Sequence, residues 1–194
     1  MRLKMKDFVL LALLTALYII VYFVSMMLIS LMGPFGHAIS PGICGLLSGA
    51  ILIFISRKIG KMWQFTLMEL IIMGVFALMG AGYLPWFITS MVGAVLADVI
   101  ASTSTNKPSV LKVAIASGLI HVGNALGGII PACFFAEQYM NEWIARGQKP
   151  DQMLEMVKAT QGTMGILATI IAFILSVIGV YIGYSILKGH LKED

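Results

Sequence analysis

The chain has 194 residues, of which 59% are apolar and 11% are charged. Soluble domains contain about 25% charged residues, so this composition excludes a water-soluble enzyme. The net charge of +4 comes from basic residues scattered between apolar blocks, which argues against a nucleic-acid-binding surface and is typical of membrane topology.

The first two membrane spans are predicted from one long uncharged stretch. No charged side chain lies between Asp7 and Arg57, a stretch of 49 residues. This length is about twice what one membrane helix of roughly 20 residues needs. Prolines and glycines in segment 33–42 predict the break between two helices, and Ser40 followed by Pro41 predicts the start of the second. The two spans are predicted at about 6–31 and 41–57.

Four more apolar stretches are long enough to cross a bilayer. They are predicted at about 62–80, 85–102, 108–136 and 162–187. Segment 137–160 is polar enough to lie outside the membrane, and residues 151–161 are predicted to form a short amphipathic helix there. The predicted fold class is therefore an all-α membrane protein, with residues 1–194 forming a single bundle of six transmembrane helices.

The basic residues predict the orientation of this bundle, because Lys and Arg are retained on the cytoplasmic side. Ten of the 13 fall at the two termini and in two loops that share one face. They are Arg2, Lys4, Lys6, Arg57, Lys58, Lys61, Lys107, Lys112, Lys188 and Lys192. Both termini are therefore expected in the cytoplasm, and the amphipathic segment before the sixth span is expected outside.

Pairs of small residues four positions apart predict close contacts between helices, because lipid supplies no hydrophobic force between them. The glycine pairs favour packing inside the bundle. They are Gly45 with Gly49, Gly123 with Gly127, and Gly179 with Gly183. Ala12 and Ala16 in the first helix fit either internal packing or a flat exposed strip against another membrane protein.

Two carboxylates lie within predicted spans, where ionisable groups are costly and a functional role is the default hypothesis. Asp98 stands close to the cytoplasmic surface, which favours a structural partner or a docking contact over a ligand-binding role. Glu69 is deeper, and a proton or cation site is one hypothesis for it. No second ionisable residue at comparable depth supports a relay.

A polar patch is predicted in the outer half of the fifth span. His121 and Asn124 are three residues apart and share one helix face, so they serve either hydrogen bonding between helices or substrate recognition. The outer loops supply the aromatic walls and few polar groups of a small-molecule pocket. These residues are His37, Tyr83, Trp86, Tyr139, Trp143 and Gln161. The aromatic residues also suit an interfacial belt.

The sequence lacks the common motifs of catalysis and of metal binding. The sequence has no GxSxG, HExxH, paired-aspartate or Walker-type motif. Cys44 and Cys133 lie in apolar runs without CxxC spacing, and the three histidines are dispersed. We therefore expect no enzymatic activity, no bound cofactor, no disulfide framework and no metal site.

Four segments resemble a known family. They are residues 4–8 (KMKDF), 12–18 (ALLTALY), 82–85 (GYLP) and 93–100 (GAVLADVI). Their order, together with the length, the number of spans and the polar segment before the last helix, resembles the substrate-binding S components of energy-coupling factor (ECF) transporters. Within that group the chain is most similar to the Trep_Strep branch of bacterial membrane proteins.

The resemblance implies a subunit of the bacterial cell membrane that captures a vitamin or a similar small metabolite at the outer face. Its partners would be a transmembrane coupling protein and two cytoplasmic ATPases, with no nucleic acid involved. In that family the small-residue strip of the first helix docks on the coupling protein, which corresponds here to Ala12 and Ala16. The family's ligand lies near the outer face among helices four to six, which coincides with the polar patch predicted at His121 and Asn124.

The identity of the substrate stays open at this stage. Aromatic and histidine-containing outer loops suit a flat heteroaromatic molecule such as a pyridoxine vitamer, and a pantothenate-like or nucleobase-like ligand is also allowed. Two functions of other classes remain: a stand-alone facilitator or channel, and an intramembrane lipid-modifying enzyme that uses Glu69 or His121.

Overall fold

The computed structural model describes residues 3–29, 32–102 and 108–191, and the regular structure in these ranges is α-helical. The helices are α1 (Met5–Ile29), α2 (Gly33–Lys58), α3 (Gln64–Leu78), α4 (Leu84–Ala101), α5 (Val110–Phe134), α6 (Ala136–Ala145), α7 (Pro150–Thr160) and α8 (Gly162–Leu187). The all-α membrane fold class is confirmed. Arg2, Lys107, Lys192 and the end of the predicted first span at residues 30–31 lie outside the described residues.

Five of the helices in the described ranges are long and apolar enough to cross a membrane, namely α1, α2, α4, α5 and α8. The third predicted span corresponds to α3, which has 15 residues. At 1.5 Å per residue it is about 22 Å long, shorter than a hydrocarbon core of about 30 Å. A sixth crossing therefore stays a prediction.

The predicted start of the second span is wrong by eight residues. Segment 33–40 is the first part of α2, which begins at Gly33 and contains Pro41 in its interior. Pro34 lies in the first helical turn, where the missing N–H has no partner to lose. Gly33 makes the break instead, with a φ of +68° that favours glycine.

The polar segment before the last span contains two helices. The amphipathic helix predicted at 151–161 is confirmed as α7 (Pro150–Thr160). The helix α6, which precedes it, was not predicted from the sequence. Both pack against the end of α5, and α7 also contacts α2 and α8, so the pair covers one end of the bundle.

The other end, which we call the basic end, carries the described basic residues Lys4, Lys6, Arg57, Lys58, Lys61, Lys112 and Lys188. Lys61 forms an ion pair of 2.6 Å with Asp7 of α1. Asp98 of α4 caps the start of α3 by accepting hydrogen bonds from the backbone N–H groups of Phe65 (3.0 Å) and Thr66 (2.8 Å). Asp98 thus has the structural partners expected of it and fixes the position of α3.

Glycines bring the long helices into backbone contact. A Cβ atom added to Gly179 of α8 would lie 2.6 Å from the Cα atom of Leu46 in α2, and one on Gly49 would clash with the backbone of Gly179. A Cβ on Gly123 of α5 would lie 3.1 Å from the Cα of Gly93 in α4. The predicted internal packing of the glycine pairs is therefore confirmed for these positions.

A methyl group added at Gly179 is expected to push α2 and α8 apart. Gly179→Ala should destabilise the protein by about 1–3 kcal/mol, because the added Cβ meets backbone atoms that cannot rotate away. The thermal unfolding midpoint of the purified protein in detergent measures the effect.

Gly74→Ala is the matched control, because a Cβ on Gly74 of α3 meets no atom within 4 Å. Here the better helix propensity of alanine should stabilise the protein by about 0.5–1 kcal/mol. Equal midpoints for the two variants would contradict the proposed packing.

Candidate ligand-binding site

Four helices bring polar side chains together inside the bundle. We call this group the interior polar cluster; it consists of Tyr18 (α1), Glu69 (α3), Trp86 and Ser90 (α4), and His121 and Asn124 (α5). Trp86 is half-buried, and the other five are buried. A buried polar group in a membrane protein requires partners from the protein itself, so the hydrogen bonds of each member define the chemistry of the cluster.

His121 is held between α5 and α1 in a fixed tautomer. Its Nδ1 atom lies 2.7 Å from the carbonyl oxygen of Ser117, and because a carbonyl only accepts, Nδ1 bears the hydrogen. The Nε2 atom is therefore an acceptor and takes the phenolic O–H of Tyr18 at 2.9 Å. Both nitrogens of a neutral imidazole are engaged in this arrangement.

Asn124 connects α5 to α4. Its Oδ1 atom accepts the indole N–H of Trp86 at 3.1 Å and the hydroxyl of Ser90 at 3.2 Å. Its Nδ2 atom donates one hydrogen to the Ile120 carbonyl at 3.1 Å. The second amide hydrogen is not used in these bonds, and the carboxylate of Glu69 is the neighbouring acceptor.

Glu69 differs from the rest of the cluster. Its side chain is 1% exposed, and neither carboxylate oxygen has a hydrogen-bonding partner within 3.5 Å. The remaining neighbours of the carboxylate include the phenols of Tyr18 and Tyr22 and the thiol of Cys44. The named neighbours of the Glu69 carboxylate are thus uncharged, and the Asn124 amide is a donor beside it.

A cavity of about 500 Å³ lies at the end of the bundle covered by α6 and α7, and we call it the outer cavity. Its lining includes His37, Tyr139, Trp143, Gln152, Glu155 and Met156. This volume and this mixture of aromatic, apolar and few polar side chains are typical of small-molecule sites.

Aromatic side chains connect the outer cavity with the interior polar cluster. The Tyr83 ring centroid lies 5.5 Å from that of Tyr139 and 5.8 Å from that of Trp143. Burial raises the pKa of Tyr83 and of Tyr139 to about 12, so both phenols are neutral at physiological pH. Trp86 packs against the cluster that contains Tyr83 and Tyr139, and it donates its N–H to Asn124. Packed side chains therefore link the residues of the outer cavity to the interior polar cluster.

The structure brings most of the predicted substrate-binding residues into these two places. His121, Asn124 and Trp86 belong to the interior polar cluster, and His37 and Tyr139 line the outer cavity. Tyr83 packs between the two. Their role in binding a ligand stays a prediction.

Gln161 lies apart from both places. Its side-chain amide donates a hydrogen bond of 2.7 Å to the Ala132 carbonyl, and it lines an apolar groove between α5 and α8. The amide thus joins α8 to the end of α5.

Tyr18 and Ser90 were missed as members of the cluster. The position of Tyr18 could be inferred from helical spacing. Leu11, Thr15 and Tyr18 are three to four residues apart and therefore share the buried face of α1. Ser90 lies one helical turn after Trp86, so its place beside Asn124 follows from the helical repeat.

Ala12 and Ala16 are exposed on α1. The large apolar side chains that surround them are exposed as well, including Val9 (58%), Leu13 (66%) and Ile20 (59%). The structure therefore favours the exposed strip over internal packing for this pair of alanines. We call the surface formed by residues 9, 12, 13, 16, 17 and 20 the α1 strip.

The hydrogen bond between Tyr18 and His121 is expected to couple α1 to α5. In a double-mutant cycle with Tyr18→Phe and His121→Phe, the coupling free energy should be on the order of 1 kcal/mol, near the upper range for hydrogen bonds within membranes. Unfolding of the purified protein in mixed detergent micelles measures each corner of the cycle.

The pair Tyr83→Phe and His121→Phe provides the reference, because these residues lie in different groups of the structure. Their effects should be additive within about 0.5 kcal/mol. An additive result for Tyr18 and His121 would show that their bond does not contribute to stability.

A model of one family matches the chain over residues 5–193; its description is "Hypothetical bacterial integral membrane protein (Trep_Strep)". Neither a curated protein nor a solved structure gives a significant match to the chain.

Proposed function

We propose that the chain, which belongs to the Trep_Strep family of bacterial integral membrane proteins, is the substrate-specific binding subunit of an ATP-driven ECF-type importer. It captures a vitamin or a related small metabolite at the outer face of the cell membrane, and a pyridoxine vitamer is the first candidate. A transmembrane coupling protein and two cytoplasmic ATPases supply the energy. The basic end and both termini face the cytoplasm in this proposal.

The observation that supports this function best is the position of the outer cavity and the interior polar cluster on the same side of a filled apolar core. The packed rings of Tyr139, Tyr83 and Trp86 lie between the cavity and the cluster. Toward the basic end the core is filled by fully buried apolar side chains from three helices. They are Leu52 and Ile55 of α2, Phe65 and Met68 of α3, and Ala97 and Ala101 of α4. This arrangement favours a binding subunit over a facilitator or channel, which needs a continuous polar path.

The α1 strip supports a membrane-embedded partner. Small side chains allow two helices to approach closely, and in lipid this packing replaces the hydrophobic effect as the source of association. Ala12 and Ala16 have the smallest side chains of the strip and form a shallow groove, which larger exposed side chains border. We propose that the transmembrane coupling protein docks there.

The hydrogen bonds of His121 argue against the lipid-modifying enzyme. Its Nδ1–H group is donated to Ser117, and its Nε2 lone pair accepts from Tyr18. A general base needs a free nitrogen within reach of the proton that it abstracts. We therefore propose a subunit without catalytic activity of its own.

Enlarging the α1 strip is expected to break the partnership without harming the fold. The double variant Ala12→Trp/Ala16→Trp should lose association with the coupling protein by about 30-fold or more, because the bulky rings prevent close helix approach. Co-purification with the tagged coupling protein and its ATPases measures association, and uptake of radiolabelled pyridoxine into reconstituted vesicles is the functional readout.

Ile182→Trp on α8 is the control, because Ile182 is also apolar and 49% exposed but lies outside the α1 strip. It should associate as the wild-type protein does. Wild-type association of the double variant would overturn the docking proposal, and pyridoxine uptake by the purified chain alone would support a facilitator.

A further inference from the structure

Glu69 is a buried carboxylate with unused hydrogen-bonding capacity. It lies on α3, which Asp98 fixes at its start, and the side chain has both oxygens unpartnered. The groups that face it are the phenols of Tyr18 and Tyr22, the Cys44 thiol and the Asn124 amide. None of these four groups is a cation, and a buried carboxylate is stable in ionised form when a positive group is beside it.

The donors that face the Glu69 carboxylate are uncharged. Asn124 uses its oxygen for Trp86 and Ser90 and has one amide hydrogen left. Tyr22 supplies an O–H group and Cys44 an S–H group, whereas Tyr18 donates its O–H to His121. These groups do not neutralise a negative charge, so a matching ligand group carries a positive charge.

Aromatic rings pack against one another beside the cluster. The ring centroid of Phe76, two helical turns after Glu69, lies 5.0 Å from that of Tyr22 and 5.4 Å from that of Trp86. The negative face of an aromatic ring attracts organic cations, most strongly where water is excluded. A carboxylate beside such rings forms a site for a positively charged nitrogen.

We propose that the interior polar cluster binds a protonated amine of the transported substrate, with Glu69 as its counter-ion. The inference rests on the proposed function and narrows the substrate class to amines or other molecules with a cationic nitrogen. In this proposal the rest of the substrate extends toward Trp86 and Tyr83, which pack beside residues of the outer cavity.

Pairs of compounds that differ in one group test the inference. The purified full-length protein is titrated with pyridoxamine and pyridoxine, tryptamine and tryptophol, and benzylamine and benzyl alcohol. Each pair has an amine in one member and a hydroxyl in the other on the same ring system. Thermal unfolding and isothermal titration calorimetry measure binding.

At least one amine should raise the unfolding midpoint by several degrees and bind about 30-fold or more tightly than its alcohol counterpart. Glu69→Gln should abolish this preference, because the amide keeps the shape of the side chain and removes its charge. Glu69→Asp keeps the charge and should retain part of the preference, which guards against a loss of fold in the first variant.

Glu137→Gln is the control for loss of one negative charge. Glu137 is exposed on α6 and does not line the outer cavity, so the amine preference should persist in this variant.

Three outcomes would overturn the inference: no amine of the panel binds, an alcohol binds as tightly as its amine, or Glu69→Gln binds the amine as the wild type does. If an alcohol binds as tightly as its amine, the proposed function as a small-molecule binding subunit stands and the amine site does not. The proposed function is judged separately by the association of the Ala12/Ala16 variant with the coupling protein, which requires no substrate.

Discussion

A bilayer offers no hydrogen bonds, and this constraint determines how the interior of the protein is built. His121 uses both nitrogens, and Asn124 uses its oxygen twice. The hydrogen-bonding partners come from α1, α4 and α5, so satisfying these groups also fixes the three helices relative to one another. Among the described residues, neither carboxylate oxygen of Glu69 has a partner with good hydrogen-bonding geometry, and the Asn124 amide is a polar neighbour. A substrate group is the partner that we propose.

The position of Glu69 depends on a contact about one helical turn away, at the start of its helix. Trp63, the residue before α3, provides no side-chain cap, and Asp98 of α4 accepts the first N–H groups of α3 in its place. The backbone contacts of Gly49 with Gly179 and of Gly93 with Gly123 hold the surrounding helices at short distance. Two carboxylates within predicted spans therefore differ: Asp98 is hydrogen-bonded to the start of α3 and structural, and Glu69 is the group to which we assign a ligand.

The sequence predicted features that depend on composition and chain-local spacing. The length of the apolar stretches predicted the five spans, and amphipathic spacing predicted α7. The spacing of small residues predicted the internal glycine contacts. The start of α2 was mispredicted because a proline in the first turn is compatible with a helix, and Pro41 is tolerated within one. The partners of His121 and Asn124 were not predictable, because in a helix that is apolar all round the periodicity does not show which face meets which neighbour.

The three tryptophans occupy three different levels of the bundle. Trp63 is 52% exposed beside the basic end, Trp86 donates its indole N–H inside, and Trp143 lines the outer cavity. Because the emission of an indole shifts with the polarity of its surroundings, the chain contains an intrinsic optical probe at each level. A form that retains Trp86 as its single fluorophore would report directly on events at the junction between the cavity and the cluster, without any attached label.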